Sequence, residues 1–183
     1  MAKLIYTTMA SLDGYVEDAS GGFGWAAPDE EVHAFINDAE RPIGTYLYGR
    51  RLYQTMVYWE SAAVPGRTDV ERDYAAIWRA AEKIVFSRTL PAVSSSRTRL
   101  ERELGSDLVT ALKESADRDL SVGGAELAAE ALRGGLVDEV RLLLHPLTVG
   151  SGRPALPGGV RLRLLEEQRF TGGAVYLRFA VRP

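Results

Sequence analysis

The run Asp119-Leu120-Ser121-Val122-Gly123-Gly124-Ala125-Glu126-Leu127-Ala128-Ala129-Glu130-Ala131-Leu132-Arg133-Gly134-Gly135 packs a strand, a turn and a helix into immediate succession. Leu120-Ser121-Val122 reads as the end of a buried strand. Gly123 and Gly124 carry no Cβ, so the backbone can turn sharply there and another molecule can approach it. Leu127, Ala128, Ala131 and Leu132 fall on one face of a helix. Gly134-Gly135 stops that helix. A strand, a glycine turn and a helix N-terminus bring free N–H groups and the positive end of the helix dipole to one point, which suits a phosphate. The same pattern also describes a plain tight turn.

The rest of the chain sets the frame. Its 183 residues suit a single domain, 1–183, with a core large enough to be stable unaided. The formal net charge of −3 argues against a general nucleic-acid binder, which would show a basic face. No cysteine is present, which excludes disulfides, thiolate nucleophiles and cysteine-rich metal sites and fits a reducing cytoplasm. With only two histidines, His33 and His145, a histidine-rich metal site is not expected. The opening Met1-Ala2-Lys3-Leu4-Ile5-Tyr6 lacks the length of a signal-peptide core, and no stretch approaches a membrane span.

Strands and helices alternate at first. Residues 3–9 read as a central strand, broken by Ser11-Leu12-Asp13-Gly14 and resumed at Tyr15–Asp18. Val32, Phe35, Ile36 and Ala39 keep helical spacing behind Asp29, a residue type suited to an N-cap. Thr45–Tyr48 is a short strand, Leu52–Val57 a short helix and 59–68 a loop. Tyr74, Ile77, Trp78 and Ala81 mark a further helix, and Lys83–Phe86 a buried strand. An edge strand at 98–102 and a helix at 106–115 follow. Three strands with apolar/polar alternation close the chain, around Val140–Leu144, Val160–Leu164 and Val175–Val181. That alternation predicts antiparallel strands with one buried face, the last two joined by a hairpin at Thr171-Gly172-Gly173. Leu143, Leu165 and Tyr176 fall on the outward face, which predicts a homodimer through the C-terminal strands.

Three strand ends resemble one another. Tyr48 leads to Gly49-Arg50-Arg51, Phe86 to Ser87-Arg88-Thr89, and Val122 to Gly123-Gly124. In a mostly parallel sheet these carboxyl ends share one edge, where ligands bind. Arginines pair phosphate oxygens bidentately. The set suits a ligand with several separated phosphates, such as NADPH, although the spacing is not that of the G-x-G-x-x-G fingerprint.

These stretches, with Ser11-Leu12-Asp13-Gly14, Val122–Leu127, Leu136–Leu142 running to Pro146, and Gly150-Ser151-Gly152-Arg153-Pro154, resemble the dihydrofolate-reductase-like superfamily. The branch most similar is the riboflavin-biosynthesis reductase (RibD C-terminal) domain and its stand-alone relatives. The resemblance keeps the family order over nearly the whole chain. It implies an α/β fold: a mixed, mostly parallel twisted sheet of about eight strands flanked by helices, with antiparallel C-terminal strands. It also implies NADPH as cofactor and hydride transfer to a small heterocyclic or carbonyl substrate. Two narrower activities are carried beside it, reduction of 5-amino-6-(5-phosphoribosylamino)uracil and reduction of dihydrofolate. From another class comes NADPH binding without turnover.

The resemblance places Gly49, Arg50 and Arg51 at the pyrophosphate and 2′-phosphate region, and Ser87, Arg88 and Thr89 at the 2′-phosphate. Gly123, Gly124, Ala125, Glu126 and Leu127 would pass under the pyrophosphate, and the backbone of Thr8 and Met9 would meet the nicotinamide. It implies a cis peptide between Gly123 and Gly124. For the proton donor it points to Glu31 in the helix that starts Asp29-Glu30-Glu31, with Asp29 and Glu30 beside it. Asp13 either touches substrate or braces its own turn. Trp25, Tyr15 and Trp59 are candidates to line a pocket for a flat ring. Pro65-Gly66-Arg67 resembles the loop that holds the folate glutamate tail, with a longer stretch before the next strand.

Overall fold

The computed structural model describes residues 1–61 and 65–182, so residues 62–64 of the expected 59–68 loop lie outside the described residues. Leu4, Ile5 and Tyr6 are fully buried, which already demands that both faces of their strand be covered. This strand, β1 (Leu4–Ser11), lies within an eight-stranded sheet. A short β2 (Tyr15–Asp18) follows, then α1 (Glu30–Glu40), β3 (Ile43–Gly49), α2 (Arg50–Met56), α3 (Asp69–Ala80), β4 (Glu82–Phe86) and β5 (Thr98–Glu101). The chain continues through α4 (Ser106–Ser115), β6 (Asp119–Gly123), α5 (Ala125–Arg133), β7 (Glu139–His145), β8 (Gly152–Pro154), β9 (Arg161–Arg169) and β10 (Val175–Arg182). The sheet order is β5-β4-β3-β6-β1-β7-β10-β9, and β2 pairs with β8 as a separate ribbon.

Alternation along the strands divides the core. Leu4, Tyr6, Leu47, Val122 and Val140 point to one face, where Val109 of α4 and Leu127, Ala128, Ala131 and Leu132 of α5 cover them. Ile5, Tyr46, Tyr48 and Val85 point to the other, against Tyr53 of α2 and Tyr74 and Trp78 of α3. Farther along that second face, Val32 and Phe35 of α1 pack on Leu143, Phe170 and Tyr176. Side chains cap α1, as the sequence predicts, and α3. Asp29 accepts the Val32 N–H at 2.9 Å, and Thr68 and Glu71 form a reciprocal capping box at α3.

The three C-terminal strands pair as expected: β10 runs antiparallel to both β7 and β9, while β7 also pairs parallel to β1, from Ile5 opposite Glu139 to Ser11 opposite His145. One expectation about them is corrected. Leu143 and Tyr176 do not face outward. They sit opposite each other in the β7–β10 ladder and are buried under α1, at 4% and 5% exposure. The β9–β10 register shifts between Arg178 and Phe179, leaving Leu165 as the extra residue of a bulge. Leu164 and Leu165 are consequently both exposed on the sheet edge.

Trp78 is wholly buried, and its indole N–H donates to the Tyr48 hydroxyl at 3.2 Å. Trp78→Ala is expected to cost about 3–5 kcal/mol, read as a fall in the urea midpoint with an unchanged slope.

Candidate functional site

Because β1, β3, β4, β5, β6 and β7 run the same way, the loops after them open on one edge. A cleft of about 1150 Å³ lies there. Its lining holds most of the residues expected at a cofactor: Thr8, Met9, Gly49, Arg50, Arg51, Ser87, Arg88 and Gly123 through Leu127. Thr89 is not in the lining. Its N–H donates to the Ser87 Oγ at 3.3 Å, and the Leu90 N–H donates to the same oxygen at 2.9 Å. The Ser87 hydroxyl thus shapes its turn and keeps its own proton to donate.

The two central glycines differ in role. A Cβ on Gly123 would stand 2.5 Å from Leu52 Cδ2 and 3.1 Å from the Tyr48 ring. Gly123 therefore lets α2 pack onto the end of β6. Gly124 has φ +93°, and a Cβ there would meet only ordinary contacts, Leu52 Cβ at 3.7 Å and the Gly49 nitrogen at 3.9 Å; it is the residue that turns the chain. The cis peptide implied at 123–124 is absent, as no described residue follows a cis bond. A trans bond with one glycine at positive φ is enough to start α5. No side chain caps α5, so its first N–H groups face the cleft unpaired by a cap.

The arginines gather by topology. Arg50 and Arg51 follow β3, Arg88 follows β4 and Arg102 follows β5, three adjacent parallel strands, and all four line the cleft. Arg153 lines it too, donating from Nε to Glu17 at 2.6 Å and from a terminal nitrogen to Glu126 at the start of α5. Arg102 follows an edge strand rather than a glycine or serine turn, so no local pattern marks it. Arg153 belongs to Gly150-Ser151-Gly152-Arg153-Pro154, a stretch that carries the family resemblance.

The expected acids lie elsewhere. The Glu31 carboxylate accepts the Thr171 N–H at 2.9 Å, and neither Glu31 nor Asp13 lines the cleft. Asp13 accepts from the Ser11 hydroxyl at 2.6 Å and from the N–H groups of Val149 and Gly150 at 3.1 and 2.8 Å. These donors, the Ser11 hydroxyl first, hold its carboxyl below the usual range, and it ties two loops together. Of the three candidate aromatic residues, Trp59 lines the cleft and Tyr15 and Trp25 do not; Trp25 packs edge-on to His145. The Arg67 guanidinium is turned inward, donating to the carbonyls of Ser61 and Tyr58 at 2.6 and 2.8 Å, and is not in the lining.

A different carboxyl does reach the cleft. Glu40, at the last residue of α1, is 5% exposed and lines its floor with Thr7, Tyr46, Tyr74 and Ser121. Glu40 Oε1, Thr7 Oγ1 and the Tyr46 hydroxyl are all buried without a hydrogen-bond partner of good geometry. Burial pushes the Glu40 carboxyl up; nearby Arg141 and the Tyr46 and Thr7 hydroxyls oppose this and do not cancel it. Burial likewise raises Tyr46 well above the usual tyrosine value. Glu40 ends a helix whose apolar spacing drew attention to the residues before it, and no sequence signal marks it.

The fold is of the dihydrofolate-reductase-like kind, with the cleft at the carboxyl edge of its parallel strands. The chain belongs to the RibD C-terminal domain family, whose sequence model matches residues 2–176. It is 26% identical over 179 residues to the uncharacterized protein YyaP of Bacillus subtilis (strain 168), covering 96% of this chain and 93% of that one. Among solved structures it is similar to a putative riboflavin biosynthesis protein from Shewanella sp. PV-4. There the TM-score is 0.76 at 16% identity, over 99% of both chains. A pyrimidine reductase-like protein from Corynebacterium diphtheriae gives a TM-score of 0.70 at 15% identity, over 100% of this chain and 92% of that one. A diaminohydroxyphosphoribosylaminopyrimidine deaminase/5-amino-6-(5-phosphoribosylamino)uracil reductase from Thermotoga maritima gives 0.69 at 14% identity. The match covers 99% of this chain and 57% of that one. The family thus relates to pyrimidine reductases of riboflavin biosynthesis.

The raised carboxyl has a consequence for stability. Glu40 keeps its proton in the fold when an unfolded glutamate would lose it. Its contribution is therefore complete below the unfolded pKa of about 4.3 and is lost as pH rises through the higher folded value, at up to about 1.4 kcal/mol per pH unit. The stability of Glu40→Gln relative to wild type should accordingly grow between acid and neutral pH. Urea denaturation of both proteins at several pH values checks this, and a constant difference would mean that Glu40 titrates normally.

Proposed function

We propose that the protein is an NADPH-dependent reductase that passes a hydride to a C=N or C=O bond of a small, flat heterocyclic or carbonyl substrate. The observation that supports it is a single cleft with two chemically distinct ends. At one end are four arginines from three adjacent strand ends; at the other is an aromatic-walled chamber whose lining includes Phe35, Tyr46, Tyr74 and Trp59. NADPH, when bound, supplies the hydride from its dihydronicotinamide ring. In this reading Ser87, Arg88 and Arg102 hold the ribose 2′-phosphate, with Thr89 shaping the turn. Arg50 and Arg51, behind Gly49, face the phosphates, as do the N–H groups of Ala125, Glu126 and Leu127 after Gly123-Gly124. Thr8 and Met9 meet the nicotinamide. Tyr48 and Leu52 pack behind the glycine turn and hold it in place. Reduction of 5-amino-6-(5-phosphoribosylamino)uracil is the narrower reading, favoured by the likeness to the Thermotoga maritima deaminase/reductase.

NADPH oxidation followed against that uracil, dihydrofolate and a panel of small carbonyl compounds tests the reading. Stoichiometric binding with no oxidation across the panel would leave a binding protein. Arg88 is exposed at the cleft rim. A charge-assisted hydrogen bond is worth about 1.5–3 kcal/mol, so Arg88→Ala should weaken NADPH roughly tenfold to hundredfold while NADH binding barely changes. Equal losses for both cofactors would refute the assignment of Arg88.

The proposal includes a homodimer through the C-terminal strands. β9 is the sheet edge, and Leu164 and Leu165 are 47% and 38% exposed there. Antiparallel pairing of two β9 strands about these leucines would set Arg163 opposite Glu166 of the second copy. Light scattering at micromolar concentration should give twice the chain mass, and a monomer would reject the interface.

A further inference from the structure

We propose that Glu40, buried on the cleft floor beside Thr7 and Tyr46, is the acid that protonates the substrate heteroatom. This rests on the reductase reading above. A reductase must place a proton donor where negative charge develops, and that donor must not lose its proton to bulk water first. Glu40 meets both conditions by position. It lines the same cleft as Thr8 and Met9, and it is buried. The charged and titratable groups that face it are Arg141 of β7, Tyr46 and Tyr48 of β3, and Tyr74 of α3, with the Thr7 hydroxyl of β1. The Arg141 guanidinium is partly committed elsewhere, with one nitrogen donating to the Ala39 carbonyl at 3.2 Å and another 3.6 Å from Glu139. It therefore does not neutralise Glu40 as a bidentate partner would.

Glu40 Oε1, Thr7 Oγ1 and the Tyr46 hydroxyl lie close enough to influence one another but make no hydrogen bond of good geometry, which is costly unless something else completes them. A neutral carboxyl and two hydroxyls offer donors and acceptors without net charge. They select a neutral carbonyl or ring imine over a carboxylate or a phosphate, and the aromatic walls select a flat ring. The step balances. As hydride reaches the carbon of the C=N or C=O bond, the π pair moves to the heteroatom. The Glu40 O–H bond breaks and a new N–H or O–H bond forms. The product leaves as the reduced amine or alcohol, and the Glu40 carboxylate regains its proton from solvent.

The test is an infrared difference spectrum of wild type against Glu40→Gln, each saturated with NADPH at neutral pH. The carbonyl stretch of a protonated carboxylic acid is expected in wild type and absent from the variant; its absence from wild type overturns the proposal. With the panel compound that wild type reduces, Glu40→Gln should lower kcat about a hundredfold or more. NADPH affinity should stay within about twofold. Wild-type kcat should fall as pH passes the pKa of Glu40, and the variant should lose that limb. A variant that keeps kcat within about threefold overturns the assignment. Should Glu40→Gln fail to fold, Tyr46→Phe reads the same floor: the acid band should shift and kcat fall, and no change in either overturns the proposal. Failure of wild type to bind NADPH would instead sink the reductase reading, and is seen separately by titration.

Discussion

The pairing of Tyr48 with Gly123, at the ends of β3 and β6, is the contact on which the site depends. It brings two strand ends level, so that Gly49 and Gly124 become neighbours; a Cβ on Gly124 would stand 3.9 Å from the Gly49 nitrogen. The absent side chain of Gly123 makes room for Leu52, and α2 settles against the strand end. A larger residue at 123 would push α2 outward and take Arg50 and Arg51 with it. The glycine that matters for packing and the glycine that matters for the turn are thus adjacent but separate.

Parallel pairing then spreads the consequence sideways. Every strand from β5 to β7 ends on the same edge, so chain segments far apart in sequence deliver their side chains to one cleft. The arginines come from the ends of β3, β4 and β5, toward one side of the sheet. The floor comes from the middle of the sheet and from the helices over it: Thr7 of β1, Tyr46 of β3, Ser121 of β6, Glu40 of α1 and Tyr74 of α3. The exposed arginines suit charged oxygens at the rim. Burial raises the Glu40 pKa below them, because an ionised carboxylate there would give up its hydration for an incomplete set of partners. The ribbon of β2 and β8 joins the two halves, since Arg153 ties Glu17 of β2 to Glu126 of α5.

The sheet is also finished differently at its two sides. α1 covers Leu143 and Tyr176, so the apolar second face of β7 and β10 is satisfied within the chain. β9 has no such cover, and its bulge exposes both Leu164 and Leu165. The outward apolar character that alternation locates on three strands is therefore confined to one of them.

Local chemistry is what the amino-acid sequence by itself determined. The glycine turn into α5, the Asp29 cap, the Thr171-Gly172-Gly173 hairpin and the arginines behind β3 and β4 are all written in residues close together, and each stands where the pattern placed it. The tertiary structure decided what depends on residues far apart. The cover over the C-terminal strands is one case: alternation leaves Leu143 and Tyr176 on the outward face, but α1, far away in sequence, buries both. The acid on the cleft floor is the other. Glu31 and Glu40 lie on the same helix and are the same residue type; the family resemblance points to the first, and nothing local marks the second. In the fold Glu31 is exposed and bonded to Thr171, while Glu40 is buried among β1, β3, β7 and α3. What separates them is desolvation, and desolvation is set by elements that the sequence brings together only when the sheet has closed.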